Sequence, residues 1–137
     1  MRVVLDADVL VGALDGSDPH HAQARSLFTG WQDRDDTRLI SVVNLSEVLV
    51  APAAERRQLR AAREAIAALG VAIHQPVEAI GVEAARLRYS HPISLPDAYC
   101  LATARHTGGT LASFDEKILR AARTEQITLA ETPKRRR

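Results

Sequence analysis

The chain begins MRVVLDADVL, in which Asp6 and Asp8 follow an apolar run rich in valine. Three further acids sit in comparable company: Glu47 in SVVNLSEVL, Asp97 in ISLPDAYCLA and Asp115 in TLASFDEKI. Carboxylates brought within a few ångströms repel one another and raise one another's pKa, so a cluster of them stays ionised only around a cation. Ligation by oxygen alone selects a hard ion, Mg2+ or Mn2+, over zinc. No histidine lies near these segments in the sequence to serve as a base. Water activated by such an ion would be the nucleophile, and the same ion would offset charge on a phosphoryl transition state. That chemistry is phosphodiester hydrolysis.

Each acid also has a structural role open to it. Asp8 fits the N-cap of a first helix. Ser94-Leu95-Pro96-Asp97 fits a capping box, and Ser113-Phe114-Asp115-Glu116 fits the same pattern. Glu47 has no such role: with Val43, Leu45, Val48 and Leu49 around it, it interrupts an apolar surface. An ionised carboxylate dehydrated there costs several kcal/mol unless a cation, an arginine or hydrogen bonds compensate.

Short apolar strands alternate with helical patterns along the chain. Val3–Leu5 reads as a strand, and VLVGAL as a helix stopped by Gly16. Asp18-Pro19 then opens a second helix carrying Ala24, Phe28 and Trp31 at helical spacing. Residues 38–41 (RLIS) form a strand, VVNLSEVLVA a helix, and residues 53–69 one longer helix with Leu59, Ala62, Ile66 and Leu69 on its apolar face. VAIH is a third strand after Gly70, and Val77, Ile80, Ala84 and Leu87 mark the next helix. ISLPDAYCLATARHTGG is a helix closed by paired glycines, TLA a fourth strand, DEKILRAA a short helix and QITL a fifth, edge strand. The pattern is that of an α/β protein, a three-layer α/β/α sandwich around a short, mostly parallel sheet of four to five strands. Ligands of such sheets bind beyond the carboxyl ends of the strands, where Asp6, Asp8 and Asp115 fall.

Length and composition bound the rest. The 137 residues suit one domain over residues 1–132, with a basic, disordered tail over 133–137. A net charge of +1 gives no global field toward nucleic acid or membrane. Cys100 is the single cysteine, so no internal disulfide forms; with no signal-like or membrane-spanning run, a cytoplasmic protein is expected. Arg56, Arg60 and Arg63 follow one flank of the 53–69 helix, either as phosphate contacts or as a solvated edge. His20 and His21, adjacent on a helix, diverge and do not make a metal pair.

The motifs VVLDADVLV, SVVNLSEVL and AARLRYSHPISLPDAYCLATARHTGGTLASFDEKI together resemble PIN-domain ribonucleases, specifically VapC-type toxins of bacterial toxin–antitoxin pairs. The last motif is the most specific: acid-Ala-x-x-x-Ala-x-Ala, a glycine pair, then TLASFD, over a likeness spanning nearly the whole chain. The resemblance implies a PIN-like fold and four acids, Asp6, Glu47, Asp97 and Asp115, around Mg2+ or Mn2+. Asp6, Asp97 and Asp115 would be ligands, Glu47 a further one through water, and Ser113 a supporting hydroxyl. Asp8 stands where the family commonly has a small polar residue, and Lys117 where it often has a further acid. The resemblance also implies cleavage of structured RNA, tRNA or rRNA, a VapB-type antitoxin and a homodimer. A haloacid-dehalogenase-like phosphatase, with Asp6 as nucleophile, would need a lysine that Lys117 and Lys134 are poorly placed to supply. A phosphoacceptor receiver domain would need an aspartate ending the third strand, where the chain reads VAIHQP. A non-catalytic PIN-like binding module is the remaining alternative.

Overall fold

Val3 and Leu5 face one core while Val4 faces another, the period-2 alternation of a strand covered on both sides. This strand, β1 (Arg2–Leu5), leads into α1 (Ala7–Leu14) and α2 (His21–Asp33). Then follow β2 (Thr37–Ser41), α3 (Val42–Leu49), a 3-10 turn over Pro52–Ala54 and α4 (Arg56–Ala68). The chain continues through β3 (Val71–His74), α5 (Glu78–Ser90), α6 (Leu95–Thr107), β4 (Thr110–Ala112) and α7 (Glu116–Thr124). The computed structural model describes residues 1–131; the end of the expected domain and the basic tail at 133–137 lie outside the described residues.

All four strands are parallel, in the order β3-β2-β1-β4. The chain moves outward from β1 through β2 to β3, then returns on the far side of β1 as β4. That reversal opens a crevice beyond the carboxyl ends of β1 and β4, the place where open parallel sheets take their ligands. The first core holds Val9, Leu10, Phe28, Trp31 and Ile66 from α1, α2 and α4. The second holds Ile80, Leu87, Leu101 and Ile118 from α5, α6 and α7. Helices on both faces make the expected three layers.

Helix α1 ends at Leu14 with Asp15 as its C-cap, so VLVGAL is helical and the helix stops ahead of Gly16 as expected. Three expectations about elements need correction. Asp18-Pro19 does not start α2: Asp18 Oδ1 accepts from the His20 amide at 2.8 Å, closing a tight turn, and the helix begins at His21. The helix expected over 53–69 is broken at Glu55, whose backbone is extended and whose carboxylate caps α4 through the amides of Arg57 and Gln58. QITL forms only an isolated bridge, Leu111 with Leu129, so the described sheet has four strands. No helix among the described residues is long and apolar enough to cross a membrane.

Candidate active site

The end of β1 and the segment after β4 are joined at their backbones and again at their side chains. The Asp6 amide donates to the Ala112 carbonyl at 2.9 Å. Asp6 Oδ2 accepts from Ser113 Oγ at 2.7 Å, and its Oδ1 accepts from the Ala7 amide at 2.8 Å as the N-cap of α1. Ser113 Oγ in turn accepts from the Asp115 amide at 3.0 Å. Asp8 Oδ2 accepts from the Phe114 amide at 3.0 Å. Two acids from the start of the chain are thus held against a Ser-Phe-Asp segment more than a hundred residues later.

This geometry revises several assignments. Asp6, not Asp8, caps α1, leaving Asp8 in the first turn. Asp115, not Ser113, caps α7, accepting from the Lys117 amide at 2.9 Å. The capping box at α6 is present: Ser94 Oγ accepts from the Asp97 amide and Asp97 Oδ2 from the Ser94 amide, each at 3.2 Å. Asp97 is half-buried there. Glu47 is exposed rather than sunk in an apolar surface, because its turn of α3 points beyond the core that takes Leu45 and Val48.

Burial dominates the electrostatics. Asp6 is 5% exposed, and desolvation, reinforced by Asp8 and Asp97, pushes its carboxyl up to about 8. Asp8 is pushed up to about 6, again chiefly by burial and further by Asp115. The buried Cys100 thiol, one turn along α6 from Asp97, is held well above its usual range by burial and then by Asp6, Asp8, Asp97 and Glu47. One cysteine therefore lies within the electrostatic reach of acids from three separate segments, although among the described residues no three His, Cys, Asp or Glu side chains yet stand close enough to hold a metal ion. Arg56, Arg60 and Arg63 are exposed on α4 and form no ion pair with another described residue.

Sequence reasoning missed Asn44 and His20. Asn44 is fully buried in α3, donating from Nδ2 to Glu47 Oε1 at 3.1 Å and to the Pro96 carbonyl at 3.0 Å. It ties Glu47 and α3 to the first turn of α6, the turn that carries Asp97. An amide inside an apolar helix, three residues before the acid, was the available signal. His20, distant in sequence, stacks its ring on Phe114 and so corrects the expectation that no histidine lies near the acids.

Among the described residues, two buried side-chain oxygens have no hydrogen-bond partner: Asp8 Oδ1 and Asn44 Oδ1. Buried acceptors without donors are costly, and a cation satisfies them where an N–H is lacking. An oxygen-only set with excess negative charge fits a hard divalent ion.

Solved structures share this architecture. VapC20 of Mycobacterium tuberculosis, described as a sarcin–ricin loop cleaving toxin, matches with a TM-score of 0.71 at 18% identity, over 87% of this chain and 94% of its own. VapBC2 of Rickettsia felis, solved bound to a promoter DNA fragment, gives 0.75 at 14% identity, over 97% and 100% of the two chains. A toxin–antitoxin complex from Klebsiella pneumoniae gives 0.68 at 24% identity, over 85% and 89%. Comparison with curated protein sequences finds no match. The family model for the PIN domain matches residues 3–124, spanning β1 through α7 and every acid of the crevice, so the chain belongs to the PIN-domain family.

Proposed function

We propose that the chain is a metal-dependent endoribonuclease toxin that hydrolyses phosphodiester bonds in structured RNA, tRNA or rRNA, and is neutralised by a VapB-type antitoxin. The observation that carries this reading is the buried Asp6 carboxylate, crowded by Asp8 and Asp97 beside oxygens that have no donor. Such an arrangement is costly for a fold and useful for holding a cation. Asp6, Asp97 and Asp115 would hold Mg2+ or Mn2+ directly, with Glu47 acting through water. When bound, such an ion makes water more acidic and offsets charge on phosphoryl oxygens.

The chain's own residues supply the positioning. Ser113 fixes the Asp6 carboxylate and receives the Asp115 amide, so one hydroxyl orients two acids. Asp8 is anchored at Oδ2 by the Phe114 amide, which leaves its unpartnered Oδ1 to support the ion. Glu47 is the one exposed acid of the site and accepts a single hydrogen bond, so it is the acid most able to turn toward a ligand; Asp97 and Asp115 are half-buried and each accept one. Nothing in the site favours the phosphatase alternative: Lys117 is exposed and its amide, on α7, serves Asp115.

The toxin–antitoxin assignment is carried over from the structural neighbours. A groove of about 470 Å3, lined by Val11, Leu14, Val48, Pro52 and Ala65, adjoins Glu47 and gives an antitoxin segment an apolar seat beside the acids. A cytoplasmic homodimer is the corresponding setting.

The test is cleavage of total tRNA and rRNA by the purified chain, with Mg2+ or Mn2+ against EDTA and with Asp6→Asn alongside. Discrete metal-dependent fragments, lost in the variant, are expected. Millimolar Mg2+ or Mn2+ should also raise the melting temperature, and Asp97→Asn should blunt the rise. A folded chain that neither cuts RNA nor responds to either ion refutes the nuclease reading.

A further inference from the structure

His20 and His21 play no part in the chemistry above, and their rings do different things. His21 Nδ1 stands 2.7 Å from the Gly12 carbonyl, in the last turn of α1 where carbonyls lack intrahelical donors. It pins the α1–α2 turn to the end of α1. The His20 ring instead stacks on Phe114, with centroids 4.4 Å apart and planes 13° apart. Asp18 holds the His20 backbone from the other side.

Phe114 is equally constrained. Its amide donates to Asp8, and its ring lies 3.6 Å from where a β-carbon on Gly12 would stand. Because Phe114 falls between Ser113 and Asp115, the stack begins one residue from an acid of the cluster and from the hydroxyl that holds Asp6. The His20 side chain is 49% exposed, so the stack has one ring against α1 and one facing solvent. Phe28 and Trp31 also meet, edge to face at 71°, but both are buried in the core. A core-filling role suits that pair and not His20.

We infer that His20 and Phe114 form a shelf on which an unpaired nucleobase of the RNA stacks beside the acids; the inference rests on the nuclease reading above. Unpaired bases are recognised by stacking on flat side chains, which tolerates any base. An acidic crevice repels the phosphates it must receive, and a flat ring adds affinity there without adding charge. The two-ring stack is fixed at its inner end, so little order is lost when a base joins its outer end.

The experiment measures kcat and KM for an RNA that the wild type cuts, in His20→Ala, His20→Phe and the parent. Stacking predicts a KM raised about 5- to 100-fold in His20→Ala and restored in His20→Phe, because only a flat ring is needed. A parallel measurement uses an RNA hairpin with one unpaired 2-aminopurine, in EDTA so that nothing is cut. The parent and His20→Phe should quench its fluorescence and His20→Ala should not. A wild type that cuts RNA with KM unchanged in His20→Ala overturns the shelf and leaves the nuclease standing. A fall in kcat that phenylalanine does not rescue also overturns it, pointing to proton transfer by the imidazole. If the wild type cuts no RNA, the nuclease reading fails, and quenching decides the shelf: lost in His20→Ala it stands as an RNA contact, absent in the parent it falls.

Discussion

Asp6 accepts from Ser113 and from Ala7 yet is a carboxyl group enclosed at the end of a strand, beside a second acid. Burial and repulsion favour its protonated form in the fold, so the folded chain holds a proton that the unfolded chain has released at neutral pH. The penalty is absent below about pH 4, grows as pH rises and is complete above about 8. Without divalent ions the wild type should therefore lose stability across that window. Asp6→Asn should flatten the profile and be roughly 1–3 kcal/mol more stable at pH 8, while abolishing cleavage. Urea unfolding in EDTA at several pH values measures this, and a wild-type profile flat from pH 5 to 8 would contradict it. Sequence made Asp6, Asp97 and Asp115 visible because each follows a strand or opens a helix. It misjudged Glu47, since apolar neighbours along a helix do not say which turn faces outward, and it passed over Asn44, whose two bonds reach a segment fifty residues away.

Helices α5 and α6 and the end of α7 are joined by one glutamate. Glu125 receives hydrogen bonds from Arg86, His91 and Arg105. Arg86, then His91, holds its carboxyl down at about 2, below the ordinary 4.5. A lowered carboxyl stabilises the fold above the ordinary value and loses that contribution as pH falls from about 4.5 toward 2. Glu125→Gln should cost roughly 1–2 kcal/mol at pH 7, with the gap to wild type closing through that acid window. Denaturant midpoints at pH 7 and pH 3 check it; a gap unchanged at pH 3 would assign the loss to packing. The strands and α6 were legible at this scale because apolar runs, a capping box and Gly108 in the left-handed region (φ 68°) punctuate them. The break at Glu55 was not, since glutamate is an uncommon N-cap and alanines run through it. The turn at Asp18 was lost to the same ambiguity: an aspartate before a proline signals a turn as readily as a helix start.

For the molecule as a whole, a net charge of +1 supplies no attraction for a polyanion, and the crevice itself is acidic. Attraction must come from local cations, and Arg56, Arg60 and Arg63 on α4 are candidates within an exposed, unpaired surface. Replacing all three with alanine should weaken RNA binding and reduce the log–log salt dependence by about 2 to 3 in slope. Filter binding at several salt concentrations measures it, and an unchanged slope would return these arginines to ordinary surface. The parallel sheet has a further consequence for how the molecule comes into being. β1 cannot pair with β4, nor Asp6 with Ser113, until the chain has been synthesised through residue 115. A chain cut short before that point lacks half of the acid crevice, whatever the rest of it has folded into.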